Sequence, residues 1–239
     1  SGTLTSTGAT TIDTSAGNGA VVLDDDANGL SGTVTVSSGS GAITLDNNTT
    51  NLTLASTSSG AVTIEDAADT NISGTTGNLT VTDAGALTLA GTVTGNLVVT
   101  AATSVSDGAT LAVTGTSNID TSAANGAIAL DDDANNLAGA VTVNSGSGAI
   151  TLDNNTNALG VTSTSTGAVT VENAGALTVA GTMGSFTVTN ASSVNDSATL
   201  AVTGTTNIDT SAGNGAVTLD DDANNLAGSV TVNSGSGAI

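Results

Sequence analysis

Short alternating segments such as TVTV, AITL, NLTL and AVTI recur along the chain between clusters of Gly, Asn, Ser and Asp. Apolar leads fall at Val34, Ile43, Leu52 and Val62, then at Val141, Ile150, Leu159, Val169, Leu177 and Phe186, in steps of eight to ten residues. Alternation of Val, Ile, Leu and Thr is the strand pattern, and no segment sustains the 3.6-residue spacing of a helix. The intervening Gly, Asn and Asp supply turns with positive φ or side-chain caps. Two strands and two turns make a coil of about 18 to 20 residues, within the range of solenoid repeats. Antiparallel hairpins at the same spacing would instead give a sandwich or barrel.

A longer repeat separates the two readings. The unit TIDTSAGNGAVVLDDDAN from Thr11 returns as NIDTSAANGAIALDDDANN from Asn118 and NIDTSAGNGAVTLDDDANN from Asn207, with Ile12, Ile119 and Ile208 lying 107 and 89 residues apart. The first copy is longer mainly because Val62 to Leu79 spans 17 residues where the second steps from Val169 to Leu177, after which DAGALTLAG matches NAGALTVAG, which amounts to a 17-residue insertion plus a one-residue change in a later turn. A solenoid absorbs an insertion of about one coil, since each rung touches only its neighbours, whereas a closed sandwich would lose its pairing. The expected fold is all-β, a right-handed parallel β-solenoid (β-helix) of about twelve coils, on the order of 60 Å long at a strand spacing of roughly 4.8 Å. Its hand follows from the general rule for parallel crossovers. Residues 1–239 read as a single continuous solenoid segment with copies at approximately 1–107, 108–196 and 197–239, the last truncated, and the natural protein is expected to continue in both directions.

Composition sharpens this picture. The chain has no Lys, Arg, His, Cys, Pro, Trp or Tyr, and its only unusual large side chains are Met183 and Phe186. Aromatic residues usually dominate a compact core, so a thin core of Val, Leu, Ile and Ala is implied. The net charge is −21, with no side-chain cation to offset it. Nucleic acid is excluded as a direct partner because phosphate neutralisation needs Lys or Arg. Direct binding to anionic membranes is excluded on the same ground. No stretch approaches the roughly 18 to 20 apolar residues of a membrane span, and no basic segment opens the chain as in a signal peptide.

The same composition argues against catalysis. Nucleophilic triads lack a His or Lys base, phosphate-binding loops lack their Lys, and zinc sites lack His and Cys. The chain is expected not to be an enzyme and to require no cofactor. Candidate chemistry is confined to carboxylates. GAVVLDDD, GAITLD and GAVTIED share one frame and would stack Asp24, Asp46 and Glu65 on one edge, and the second copy repeats the column as Asp131, Asp153 and Glu172. At about 4.8 Å, adjacent carboxylates repel by about 0.9 kcal/mol even at the dielectric constant of water, and a bound cation would relieve this. The triplets Asp24, Asp25, Asp26; Asp131, Asp132, Asp133; and Asp220, Asp221, Asp222 are candidate oxygen donors for Ca2+, which takes six to eight hard ligands. The bland alternative is that these Asp residues form turns and keep the flank solvated. Outward Thr pairs such as Thr33 and Thr35 are best read as strand propensity.

The run GALTLAGTVTGNLVVTAATSVSDGATLAVTGTSNIDTSAANGAIALDDDANNLAGAVTV, from Gly85 to Val143, resembles the repeat regions of giant bacterial exoproteins of the filamentous haemagglutinin type. That resemblance implies a two-partner-secreted β-helical adhesin whose shaft holds adhesive regions away from the cell. The expected function is a structural rod segment of an exported bacterial surface adhesin, extracellular or at the cell surface. The alternative is a subunit of a self-assembling extracellular filament, sheath or matrix, and a calcium- or glycan-binding module ranks third. Expected partners are neighbouring segments of the same protein and other copies stacked end to end, with any host or glycan receptor left open.

Overall fold

The computed structural model describes residues 2–47, 50–155 and 157–239. The chain winds into a β-solenoid of about ten turns with about 19 residues per turn. Strands alternate between two long sheets. Sheet 1 begins with Thr10–Asp13 and Thr33–Ser37 and ends with Thr206–Asp209 and Val230–Asn233. Sheet 2 begins with Val21–Leu23 and Ile43–Asn47 and ends with Ala191–Val202 and Val217–Thr218. Pairing along both sheets is parallel, and a short parallel pair, Thr5–Ser6 with Gly29–Leu30, lies beside the first turns. Among the described residues there is no α-helix, only a 3-10 turn at Ser15–Gly17.

Register shows why the turns stack. Val21 lies opposite Ile43, Ile43 opposite Val62, Val62 opposite Leu79 and Leu79 opposite Leu97, so like sits on like along the axis. The ten apolar leads from Val34 to Phe186 are all buried between the sheets. Of the 18 residues by which the first copy exceeds the second, 17 make one whole turn, because Leu79 lies directly on Val62. Turn length is less uniform than the expected 18 to 20 residues. It runs from 17 residues between Val62 and Leu79 to 24 between Ser117 and Val141, the longest turns being those that carry the acidic triplets. With about ten turns at roughly 4.8 Å per rung the rod is on the order of 50 Å long.

Two devices hold the corners. Asn18, Asn125 and Asn214 adopt the left-handed conformation, with φ of 51°, 54° and 52°. Each Oδ1 accepts the N–H of Ser40, Ser147 or Ser236 on the next turn at 2.9 Å. Asn tolerates that conformation better than other non-glycine residues, so an Asn at the corner serves both as a turn former and as a rung-to-rung tie. Glycines stack where the corners approach most closely. A Cβ on Gly60 would lie 2.0 Å from the carbonyl oxygen of Gly41, and one on Gly41 would lie 2.4 Å from that of Gly19.

The long repeat has a consequence for the outside of the rod. The IDT strand is Thr10–Asp13 in sheet 1, Ser117–Asp120 in sheet 2 and Thr206–Asp209 again in sheet 1. Each long repeat therefore contains an odd number of half-turns, and successive copies present the same sequence on opposite faces.

Candidate functional site

The acidic triplets lie at corners that lead back toward the next strand. In each, the middle residue forms the turn: the Oδ1 atoms of Asp25, Asp132 and Asp221 accept the N–H of Ala27, Ala134 and Ala223 at 3.1, 3.0 and 2.9 Å. These are Asx turns, for which Asp is a favoured residue. Asp24, Asp26, Asp131, Asp133, Asp220 and Asp222 point into solvent on either side of the turn.

The Asn that ends each DDDAN run is tied to the preceding turn. Asn28, Asn135 and Asn224 accept the N–H of Leu4, Leu111 and Leu200 at 2.8, 2.7 and 2.7 Å. Asn135 and Asn224 also donate through Nδ2 to Asp107 and Asp196. Asp107 further accepts the N–H of Asp132 at 3.0 Å, and Asp196 accepts those of Asp220 and Asp221 at 3.3 and 3.1 Å. Asp107 and Asp196 were not among the sequence candidates. The signal was present in the matching segments SVSDGATLAV and SVNDSATLAV, which place an Asp four residues before the Leu whose N–H the Asn holds.

The two acidic columns form in register but do not converge. Leu23, Leu45 and Ile64 are successive partners, so Asp24, Asp46 and Glu65 follow one another along one corner of sheet 2. Asp46 is turned inward and only 4% exposed, whereas Asp24 and Glu65 face solvent. In the second copy Asp153 pairs directly with Glu172, this time in sheet 1. Asp153 is fully buried, its Oδ1 accepting the N–H of Asn155 at 2.9 Å and its Oδ2 the Nδ2 of Asn173 at 2.7 Å. Glu172 stays half-exposed. Among the described residues, no three acidic side chains stand together as a metal cage requires.

Hydrogen bonding also sets the acidity of four carboxylates. The Ser15 hydroxyl and N–H hold Asp13 below the ordinary carboxylate range, and Ser211 does the same for its repeat-equivalent Asp209. Partial burial pushes Asp120 and Asp196 upward, but the donors around them outweigh it and both end below the ordinary value. For Asp120 the main donor is Ser122, and for Asp196 it is Asn224 with the N–H groups of the triplet turn. Turn formation is the role that these hydrogen bonds give the middle Asp of each triplet.

Open recesses of about 220–290 Å3 lie along the rod, one of them lined by Val217, Leu219, Val230, Val232 and Ile239. A void of about 10 Å3 lies among Ile72, Leu79, Leu89, Val93 and Leu111. Ser73, Thr76 and Thr92 also line it, and the Thr76 hydroxyl is buried without a hydrogen-bond partner.

A family described as repeats of unknown function, DUF5649, matches residues 1–37, 76–144 and 166–233. The chain belongs to the DUF5649 repeat family. These matches cover most of the chain, and the interval 38–75 between the first two contains most of the inserted turn at 62–78. No curated protein and no solved structure matches the chain.

Proposed function

We propose that this DUF5649 chain is a shaft segment of an exported bacterial surface adhesin, whose work is to span distance between the cell and an adhesive region. The observation that carries the reading is the continuity of the two sheets, whose parallel strands follow one another from the first full turn to the last. Such a stack is stiff along its axis, since bending it strains the parallel ladders and the column of packed Val, Leu and Ile together. The acidic corners keep a long rod soluble without any cationic counterpart. The sequence resemblance to haemagglutinin-type exoproteins supports the same assignment. In this reading the chain carries out no reaction, and recognition belongs to other parts of the protein.

Antibodies against the purified chain test the proposal on intact cells of the source organism. Labelling of unpermeabilised cells, with gold particles standing off from the outer surface, is the expected result. Labelling that appears only after permeabilisation would place the chain inside the cell and overturn it.

A further inference from the structure

Four Asn-Gly dipeptides occur in the chain, and three of them, Asn18–Gly19, Asn125–Gly126 and Asn214–Gly215, stand at the same corner of successive long repeats. Asn-Gly is the dipeptide in which asparagine deamidates most readily, because glycine has no side chain to hinder attack of its backbone nitrogen on the Asn Cγ. The corner nevertheless calls for both residues. The Asn takes up the left-handed conformation and ties the next turn. Gly126 and Gly215 press so closely on the turn below that a Cβ would lie 1.8 and 1.9 Å from the carbonyl oxygens of Thr103 and Ser192. The rod therefore carries its most labile dipeptide where the packing requires it.

We propose that these three corners are self-modification sites that the stacked fold holds unreacted, so that a turn which opens is converted irreversibly to isoaspartate. In the reaction the Gly nitrogen gives up its proton and attacks the Asn Cγ, the new C–N bond closes a succinimide, and the side-chain nitrogen leaves as ammonia. Water then opens the ring at either carbonyl and leaves aspartate or isoaspartate. Both reacting groups are engaged in the folded chain. The N–H groups of Gly19, Gly126 and Gly215 donate to the carbonyls of Thr14, Thr121 and Thr210 at 3.1, 3.1 and 3.0 Å. Each Asn Oδ1 accepts the N–H of Ser40, Ser147 or Ser236 at 2.9 Å. Asn18 has φ of 51° and ψ of 38°, and ring closure requires rotation about ψ out of that conformation, which the hydrogen bond from Gly19 to Thr14 resists. Reaction thus waits on opening of the corner, and the free energy of local opening depends on what is stacked around it. The Asn125 corner has a turn on either side, resting on Thr103 and tied to Ser147, whereas a Cβ on Gly19 would meet only the side chain of Thr14. Asn125 is therefore the slowest of the three. Isoaspartate adds a methylene to the main chain, so a corner that has reacted does not recover its left-handed geometry. This inference is independent of the shaft assignment, since it concerns the purified chain wherever that chain resides.

The test incubates folded chain and chain unfolded in guanidinium chloride side by side at mildly alkaline pH. Samples are digested with an Asp-specific protease, because trypsin finds no Lys or Arg, and mass spectrometry reads the replacement of amide by acid at each Asn. All three sites share the sequence Asn-Gly-Ala, so in the unfolded chain they are expected to react at similar rates. Folding is expected to slow each of them by roughly tenfold or more, and Asn125 the most. Ser147→Pro removes the N–H that Asn125 holds and is expected to raise the rate at Asn125 alone, with Asn18 and Asn214 as internal controls. A variant that fails to fold shows itself by all three rates rising together, and the comparison of folded with unfolded wild type then decides. Equal rates in the folded and unfolded chain overturn the proposal. Asn125 reacting fastest of the three, or keeping its wild-type rate in a folded Ser147→Pro variant, also overturns it.

Discussion

Removing residues 62–78 excises one turn and leaves Ala61 joined to Leu79. Leu79 already lies over Val62, and Val62 over Ile43, so after excision Leu79 takes up the position that Val62 held. On sheet 1, Leu52 then meets Leu87 and Leu54 meets Leu89, since Thr70 and Ile72 were the residues between them. Leu54 thus exchanges one apolar neighbour for another, and Leu52 exchanges Thr70 for Leu87. At the corner, Gly91 with φ of 95° comes to face Ser56 in place of Gly74, which has φ of 93°, so the close approach again meets a glycine. The excised turn takes with it the buried Val62, Ile64 and Ile72, and three carboxylates, Glu65, Asp66 and Asp69, which reduces the net charge from −21 to −18. In a solenoid, the burial lost and the chain entropy no longer spent belong to the same repeat and largely cancel. One turn of about ten is removed. The urea m-value, which scales with the surface exposed on unfolding, is therefore expected to fall by about a tenth while the transition stays cooperative. Far-UV circular dichroism against urea measures both. Loss of the cooperative transition, or a midpoint lowered as far as by a deep core deletion, would refute the reasoning that each turn answers only to its neighbours.

Four further outcomes are expected. Phe186, fully buried between Val169 and the short Thr206, is the largest core side chain, and Phe186→Ala should cost about 3–5 kcal/mol by urea denaturation. Thr206 and Thr76 bury hydroxyls that have no hydrogen-bond partner, so Thr206→Val and Thr76→Val should each stabilise the chain by about 1 kcal/mol, with no gain showing that those hydroxyls are satisfied. Asp13, Asp120, Asp196 and Asp209 have folded pKa values below their unfolded ones, so their contribution is complete above the ordinary carboxylate value of about 3.9 and is lost as pH falls through the lowered ones. The melting midpoint should be level from neutral pH to about 5 and drop below about 4, and a midpoint that rises steadily on acidification contradicts this. Because the middle Asp of each triplet serves its own turn, removal of divalent cations with EDTA should leave the midpoint unchanged; a clear fall, reversed by calcium, would assign a cation to that edge.

Much of the fold was legible because strand periodicity and stacking both depend on short-range pattern. The leads Val34, Ile43, Leu52 and Val62 are core residues, and the insertion after Val62 is a turn. What escaped lies at the corners, where simple alternation ends. Asp46 follows Leu45 and by alternation should face outward, yet the pairing shifts between Leu45 and Asn47 and the carboxylate turns inward. Asp107 and Asp196 went unnoticed because each stands 24 or 25 residues from the N–H groups it accepts, so that only the match between the segments SVSDGATLAV and SVNDSATLAV marks them. The placement of successive copies on opposite faces needed the number of half-turns, which the variable lengths of the triplet turns conceal.

In a straight stack each turn adds one rung, and distance measurements between paired spin labels test that geometry most directly. The chain has no native cysteine, so labels go only where they are placed. Thr63, Thr44 and Thr142 belong to one outward row of sheet 2, as does Thr162. The pairs Thr63→Cys with Thr142→Cys, Thr44→Cys with Thr142→Cys, and Thr44→Cys with Thr162→Cys span four, five and six rungs. Their backbone separations are expected near 19, 24 and 29 Å, about 4.8 Å per rung, with narrow distributions. Distances that fail to rise in order, or that spread broadly, would contradict the stack and the spacer function drawn from it.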